Sequence, residues 1–416
     1  VKQSYLLKDP EDTARVFKEA FYIAGTGRPG PVLIDIPMDV QKAVIDFEYP
    51  EKCEIRSYKP TTKGNYVQVR RVMAALEEAE KPLICIGGGV FAAHAENEIR
   101  ELADLMQIPV ITTMMGISVF PDDDQLFCGM IGTHGVKMAN AAVNECDVLF
   151  LVGARVGDRA VKTPLALEKT TKIIHIDIDP AEIGKNIGAD LPLVGDAKLV
   201  LQQMTELAKP MKHDEWIAHI KTLGGERKYV EPAKGTVNPR VFIDRLAKKM
   251  PANVTVVADV GQNQIWTCTE YKFRKEGRLL TSGGMGTMGY SVPAAIGAKM
   301  ADNSRATVAI CGDGAFQMSF MELATAVQFG VDIKVVVMTN NRLGMVRELQ
   351  TNGYHDRQTA VFLDGSPDFI KLAEAYGIPA MRVYDDDTME KGIEMLAEHK
   401  GICLVEVVVD KDMPTL

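Results

Sequence analysis

Between Arg305 and Val346 the chain carries two apolar runs, and each stops at a polar turn. Ala306 to Cys311 ends in Gly312-Asp313-Gly314, and Lys334 to Met338 ends in Thr339-Asn340-Asn341. A strand is continuously apolar only when both of its faces are covered, as in a parallel sheet with helices on each side. Between the runs, Ser319 followed by Glu322 reads as a capping box opening a helix, whose apolar positions Met321, Leu323, Ala324, Val327 and Phe329 continue to Gly330. Strand, crossover helix and parallel strand bring the two carboxyl ends to one sheet edge, because such crossovers are right-handed and unknotted. Asp313 and Asn340, 27 positions apart, thereby become neighbours.

Such a pair offers a carboxylate and an amide oxygen, hard ligands that suit Mg2+, which completes its shell with phosphate and water. Gly312 and Gly314 add backbone N–H groups that a diphosphate can approach. Alone, Gly-Asp-Gly is a tight turn and Asn-Asn a loop. Together, on a strand-helix-strand, they point to a metal-bound diphosphate at the edge where open α/β sheets bind ligands.

The rest of the chain repeats the rhythm. Strands are expected at Pro82 to Ile86, Val110 to Thr113, Val148 to Val152 and Lys172 to Ile178, then at Val254 to Ala258, Arg305 to Cys311, Lys334 to Asn340 and Ile402 to Val409, with helical pattern between them. The fold class is α/β, with two doubly wound parallel-sheet domains plus a remnant of a third. Expected boundaries are a remnant over 1–48, a linker over 49–65, a central domain over 66–208, a linker over 209–238 and a last domain over 239–416. The remnant reads as one helix, Asp12 to Ala24, and one strand, Pro31 to Ile36, with no sheet to join. Together with Val1 in place of an initiator methionine, this leads us to expect that the upstream part of that domain is absent.

Composition, 46% hydrophobic and 25% charged, is ordinary for globular domains. Seven unpaired-looking cysteines, several inside strand-like runs, suit buried thiols and a cytoplasmic location. A net charge of -9 without basic runs argues against nucleic acid, and no apolar stretch approaches a bilayer span, so no membrane partner is expected.

Gly312-Asp313-Gly314, the helix, Asn340 and then Leu343-Gly344-Met345-Val346 resemble the thiamine-diphosphate motif of the acetolactate synthase family. The resemblance implies Mg2+ held by Asp313, Asn340 and the Arg342 carbonyl, with Asn341 as the alternative amide. It gives Gly314, Ala315, Gly344 and Met345 to the diphosphate. Gly261-Gln262-Asn263 resembles the family's diphosphate-contacting Gly-Gln-His, with Asn263 where His is usual, which keeps a donor and loses the titrating imidazole. Thr281 to Gly297 resembles the segment along thiamine, in which Gly286 meets the aminopyrimidine and Met288 is the apolar wedge.

The similarity extends to an FAD-binding domain, implying FAD contacts from Arg28, Gly88, Thr113, Met114, His134, Gly135, Gly153, Ala154, Arg155, Val156, Asp177, Ile178 and Asp196. Arg159 resembles the arginine that meets the second substrate's carboxylate, although Arg159 next to Asp158 also reads as a surface ion pair. Leu349 stands where many members have Trp, which implies weaker preference for 2-oxobutyrate over pyruvate.

The implied activity is decarboxylation of pyruvate and its condensation with a second 2-oxo acid, in branched-chain amino acid biosynthesis. The implied assembly is a homodimer or tetramer, with a regulatory small subunit as a further partner. The family's activating glutamate belongs upstream of Val1, so this chain alone is expected to be inactive. Related thiamine enzymes, such as a pyruvate oxidase or a sulfoacetaldehyde acetyltransferase, and a noncatalytic cofactor-binding fragment are the alternatives. Gly284-Met285-Gly286-Thr287-Met288-Gly289 also fits a dinucleotide fingerprint with Asp302 as ribose ligand. Pro293 at the expected helix start weighs against it, and that reading leaves Asp313 with Asn340 unexplained.

Overall fold

A computed structural model describes residues 1–225 and 229–416. Its strands are β1 (Gln3–Leu6), β2 (Val32–Asp35), β3 (Pro82–Ile86), β4 (Val110–Thr112), β5 (Phe127–Met130), β6 (Val148–Val152), β7 (Lys172–Asp177), β8 (Leu191–Val194), β9 (Thr255–Ala258), β10 (Arg278–Thr281), β11 (Thr307–Gly312), β12 (Lys334–Thr339), β13 (Ala380–Val383) and β14 (Cys403–Val408). Two six-stranded parallel sheets run β5-β4-β3-β6-β7-β8 and β10-β9-β11-β12-β14-β13. The chain forms two compact units, one of 1–108, 145–158 and 163–214, the other of 109–144, 159–162 and 215–416, so that β4 and β5 count with the second.

In the second unit, successive residues of each strand feed different cores. Val256, Ala258, Val308, Ile310, Val336 and Met338 pack with Phe242, Trp266 and Ile393. On the other face, Val257, Ala309, Cys311, Val335 and Val337 pack with Val292, Ala295, Phe316 and Phe369. That is why β12 is buried along its whole length and reads as an uninterrupted apolar run. The strand order reverses between β9 and β11, since the chain goes from β9 outward to β10 and returns to β11 on the other side of β9. Loops leaving the carboxyl ends of β9 and β11 therefore diverge and open a crevice.

The sheet of β3 to β8 reverses between β3 and β6, both in the first unit. Here two backbones touch: Gly87 N–H donates to Val152 O at 3.0 Å and Gly89 N–H to Gly153 O at 3.0 Å. Gly153 has φ +57°, and a Cβ on Gly87 would run into Gly153 O and lie 2.5 Å from Ala154 Cα.

Several expectations are corrected. β2 has a partner after all, pairing in parallel with β1, which the sequence reading missed. The stretch 209–238 is no mere linker: Asp214–Thr222 is a helix that buries Trp216 and Ile220, one turn apart. Residues 226–228 of that stretch lie outside the described residues. Ser319 makes no capping box, because its hydroxyl gives no cap bond and a 3-10 turn, Phe320–Glu322, precedes the helix Leu323–Gln328. Pro293 sits in the first turn of the helix Ser291–Ala301, where its missing N–H has no helical acceptor to lose. Among the described residues no helix is long and apolar enough to cross a membrane.

Replacing Gly87 by Ala should destabilise the first unit by about 2 kcal/mol, since neither backbone has room to retreat. Gly157→Ala, with open space around its Cβ position, should shift stability by less than about 0.5 kcal/mol. Urea unfolding of both variants checks this, and equal stability of the two would contradict the close-contact account.

Candidate functional site

Asp313 follows β11 directly and is buried. Its Oδ2 accepts N–H bonds from Asn340 at 3.2 Å and Asn341 at 2.7 Å, and its Oδ1 accepts from Gly314 N at 2.8 Å. The two strand-end loops are thus joined through one carboxylate, as the crossover argument requires. Burial pushes the Asp313 carboxyl up to about 6, while the N–H bonds from Asn341, Gly314 and Asn340 oppose that rise.

Asn341 takes φ +52° and turns the chain back. Leu343 N donates to Val361 O at 2.9 Å and Leu363 N to Asn341 O at 3.0 Å, an antiparallel bridge centred on Arg342 and Phe362. In this pattern the central pair exchanges no bonds, so the N–H and C=O of Arg342 face away from 361–363. Its N–H goes to Asn340 Oδ1 at 3.0 Å. The Arg342 guanidinium, 4.7 Å from the Phe362 ring centroid and 2.7 Å from Asp364 Oδ1, holds the bridge from the side. Asp313, Asn340 and the Arg342 backbone are therefore gathered at one point. Asn341 contributes its backbone N–H to that point.

Around them lies a pocket of about 580 Å³, counting the part open to solvent. Its walls include Gly261, Gln262, Asn263, Met288, Gly314, Ala315, Gly344 and Met345, all expected cofactor residues. Gly344 opens the helix Gly344–Gly353 so close to Gln262 that a Cβ would overlap Gln262 Oε1. Met288, Leu343 and Leu363 converge over Gly314. Asn263 Nδ2 donates to Asp259 O at 2.8 Å and Ile310 O at 3.1 Å, so in this chain the amide ties the ends of β9 and β11 together. Gly286 belongs to a turn closed by its N–H on Ser282 O at 2.6 Å, and does not line the pocket.

Sequence reasoning missed Asp259, Trp266 and Glu348. Asp259 is fully buried and accepts from Val260 N at 2.9 Å, Gly289 N at 3.0 Å and Ser291 N at 2.8 Å, fixing the loop that carries Met288. Two of these partners, Gly289 and Ser291, lie 30 and 32 residues away, and no local pattern announces them. Asp302 is spent on Ser304 and has no part in the pocket.

Other expected residues are dispersed. On the second unit, Arg159 is exposed; among the described residues it makes no ion pair with Asp158, and its carbonyl accepts from Thr133 N at 2.9 Å. His134 lies in the same loop region, with burial lowering its imidazole pKa and the Glu348 carboxylate opposing. Gly135 closes a turn on Gly132 O, and Met114, after Thr113, packs on the core beside Gly283. Leu349 is 62% exposed on the helix Gly344–Gly353 and outside the pocket walls.

On the first unit, Gly88, Gly153, Ala154, Arg155 and Val156 follow β3 and β6 at the strand-order reversal. Arg28 and Ile178 line a second, open pocket of about 1070 Å³. There the Arg28 guanidinium is paired with Glu182 at 2.7 Å and Asp179 at 3.2 Å. Asp177 accepts from Asp179 N at 2.9 Å, and Asp196 caps the helix Ala197–Thr205 through Leu199 N at 3.2 Å.

Comparison with known families agrees with this geometry. Residues 259–407 match the family model described as thiamine pyrophosphate enzyme, C-terminal TPP binding domain, and residues 69–204 match the central domain of the same enzymes. A probable acetolactate synthase large subunit from Methanocaldococcus jannaschii is 40% identical over 98% of this chain and 71% of its own length. Acetolactate synthase isozyme 3 large subunit from Escherichia coli is 36% identical over 99% of this chain and 74% of its own. The acetolactate synthase large subunit of Corynebacterium glutamicum is 39% identical, with 99% and 68% covered. With a buried carboxylate, an amide and a glycine-lined crevice meeting where two adjacent strands end, and with relatives of this closeness along nearly all its length, the chain belongs to the acetolactate synthase large-subunit family of thiamine-diphosphate-dependent enzymes.

Proposed function

We propose that the pocket at the carboxyl ends of β9, β11 and β12 takes the diphosphate of thiamine diphosphate together with Mg2+, with Asp313, Asn340 and the Arg342 carbonyl on the ion. The observation that carries this is Asp313: a buried carboxylate, held by backbone N–H groups of the next strand's loop and facing a pocket. Burial without a cation disfavours its charged form, and a divalent ion would reverse that preference. The first turn of the ten-residue helix Gly344–Gly353 suits phosphate oxygens, because the N–H groups of a first turn have no acceptor within the helix.

When bound, thiamine diphosphate supplies the electron sink that lets pyruvate lose CO2 and its two-carbon remainder join a second 2-oxo acid. The protein's part is to place and enclose it. Met288, held by the Asp259-bound loop, supplies an apolar wall on the side of Gly314. Arg159 offers a cation for the second substrate's carboxylate.

The first unit's β3/β6 reversal, with Gly88, Gly153, Ala154 and Arg155 after the strands, supports FAD held there without a net redox role. The domains we assign are a central one over 66–208 and a diphosphate-binding one over 239–416. The relatives' designation as large subunits supports a small regulatory partner, and we assign a cytoplasmic homodimer or tetramer as the working enzyme.

Trp266 lines the pocket and reports its occupancy. In a Trp216→Phe background, thiamine diphosphate should change its emission saturably only with Mg2+ present, and Asp313→Ala should lose the response. Ion-independent binding, or none, would refute the assignment.

In EDTA the folded carboxyl of Asp313 titrates near 6, above its ordinary value of 3.8. The stability it contributes is therefore fully present below that ordinary value and lost as pH rises through about 6. Chemical unfolding between pH 4 and 7 should show this downward slope in the wild type and lack it in Asp313→Ala. A slope unchanged by the substitution would assign it to another group.

A further inference from the structure

Gln262 is buried at the start of the helix Gln262–Glu270, and its amide is engaged at both ends. Nε2 lies 2.9 Å from Met413 O, 3.2 Å from Thr415 Oγ1 and 3.3 Å from Glu348 Oε2. At the other end Oε1 accepts from Asn340 Nδ2 at 3.2 Å. A backbone carbonyl and a carboxylate can only accept, so the NH2 end of Gln262 must face Met413 and Glu348. Oε1 is then turned to Asn340, which must answer with its own NH2 group. What remains of the Asn340 amide is Oδ1, the atom beside the Arg342 N–H and able to meet a cation.

The acceptors themselves are anchored. Glu348 takes the Thr415 N–H at 3.1 Å and also the Thr415 hydroxyl. Trp266 Nε1 donates to Pro414 O at 3.2 Å, and Arg347 reaches Met413 O at 3.4 Å. Residues 413–415, more than seventy positions beyond Asn340, thus sit behind the pocket wall.

We propose that Met413–Thr415 and Glu348 form a positioning device: they set the polarity of the Gln262 amide and, through it, which atom of Asn340 faces the ion. The inference rests on the pocket assignment above and adds residues that do not line it. Thr415 and Glu348 touch no ligand in this scheme. If their bonds to Gln262 are lost, only the Met413 carbonyl still holds the Gln262 NH2 group, and Gln262 and Asn340 turn over together more readily, presenting an NH2 group where the cation needs an oxygen. Outer partners of this kind typically govern about 10- to 100-fold in metal affinity.

The test measures Mn2+ affinity of the full chain at saturating thiamine diphosphate, by electron paramagnetic resonance. Thr415→Val and Glu348→Ala should each weaken binding about tenfold. Thr415→Ser, which restores the hydroxyl, should bind as the wild type does. In an Asn340→Asp background, where both side-chain atoms are oxygens, Thr415→Val should have no further effect. Affinities within twofold of wild type, or a full additional loss in the Asn340→Asp background, would overturn the device and leave the pocket assignment standing. Loss of affinity with a lowered melting temperature that serine does not restore would assign the segment to the fold alone, also against the proposal. A wild-type chain that binds no Mn2+ would instead bring down the pocket assignment and this inference with it.

Discussion

A carboxylate buried at the end of a strand must be met by hydrogen-bond donors, and Asp313 finds its donors on the neighbouring strand's loop. This single requirement ties β11 to the turn after β12 and holds Asn341 in a left-handed conformation. It also aligns the Asn340 amide beside the Arg342 backbone. The strand-order reversal at β9 and β11 supplies the open side, so the constrained edge faces a crevice instead of a covering helix. Everything proposed for the pocket depends on that junction.

A comparable device orders the adjoining loop. Asp259, at the end of β9, gathers three N–H groups from Val260, Gly289 and Ser291 and so fixes the approach to Met288. Asn263, where the resemblance leads one to expect His, spends both N–H bonds on the carbonyls of Asp259 and Ile310. Asn263 thus braces the sheet edge and carries no group that titrates near neutrality. Site and scaffold here are made of the same polar contacts.

The central strands were legible because each is covered on both faces and so is apolar without interruption, as β3, β6, β11 and β12 are. The junction of Asp313 with Asn340 was legible too, since a crossover leaves few ways to join parallel strands. Short or half-exposed elements were not. β1 buries only part of its side chains and went unread, so that β2, itself expected, was left without its partner, and the helix Asp214–Thr222 hides two apolar residues among polar neighbours. Ser319 misled because its backbone leads into a 3-10 turn, and Pro293 because a first helical turn tolerates a missing N–H. The bonds made by Asp259 and Glu348 link segments far apart in the chain, beyond the reach of any local spacing rule.

The central claim concerns one ion at one place, and anomalous diffraction from crystals of this chain grown with Mn2+ and thiamine diphosphate addresses it most directly. The account predicts a single strong peak about 2.0–2.2 Å from an Asp313 carboxylate oxygen, with Asn340 Oδ1 and the Arg342 carbonyl completing the protein ligands. A peak elsewhere, or a cofactor bound with no ion beside Asp313, would contradict it.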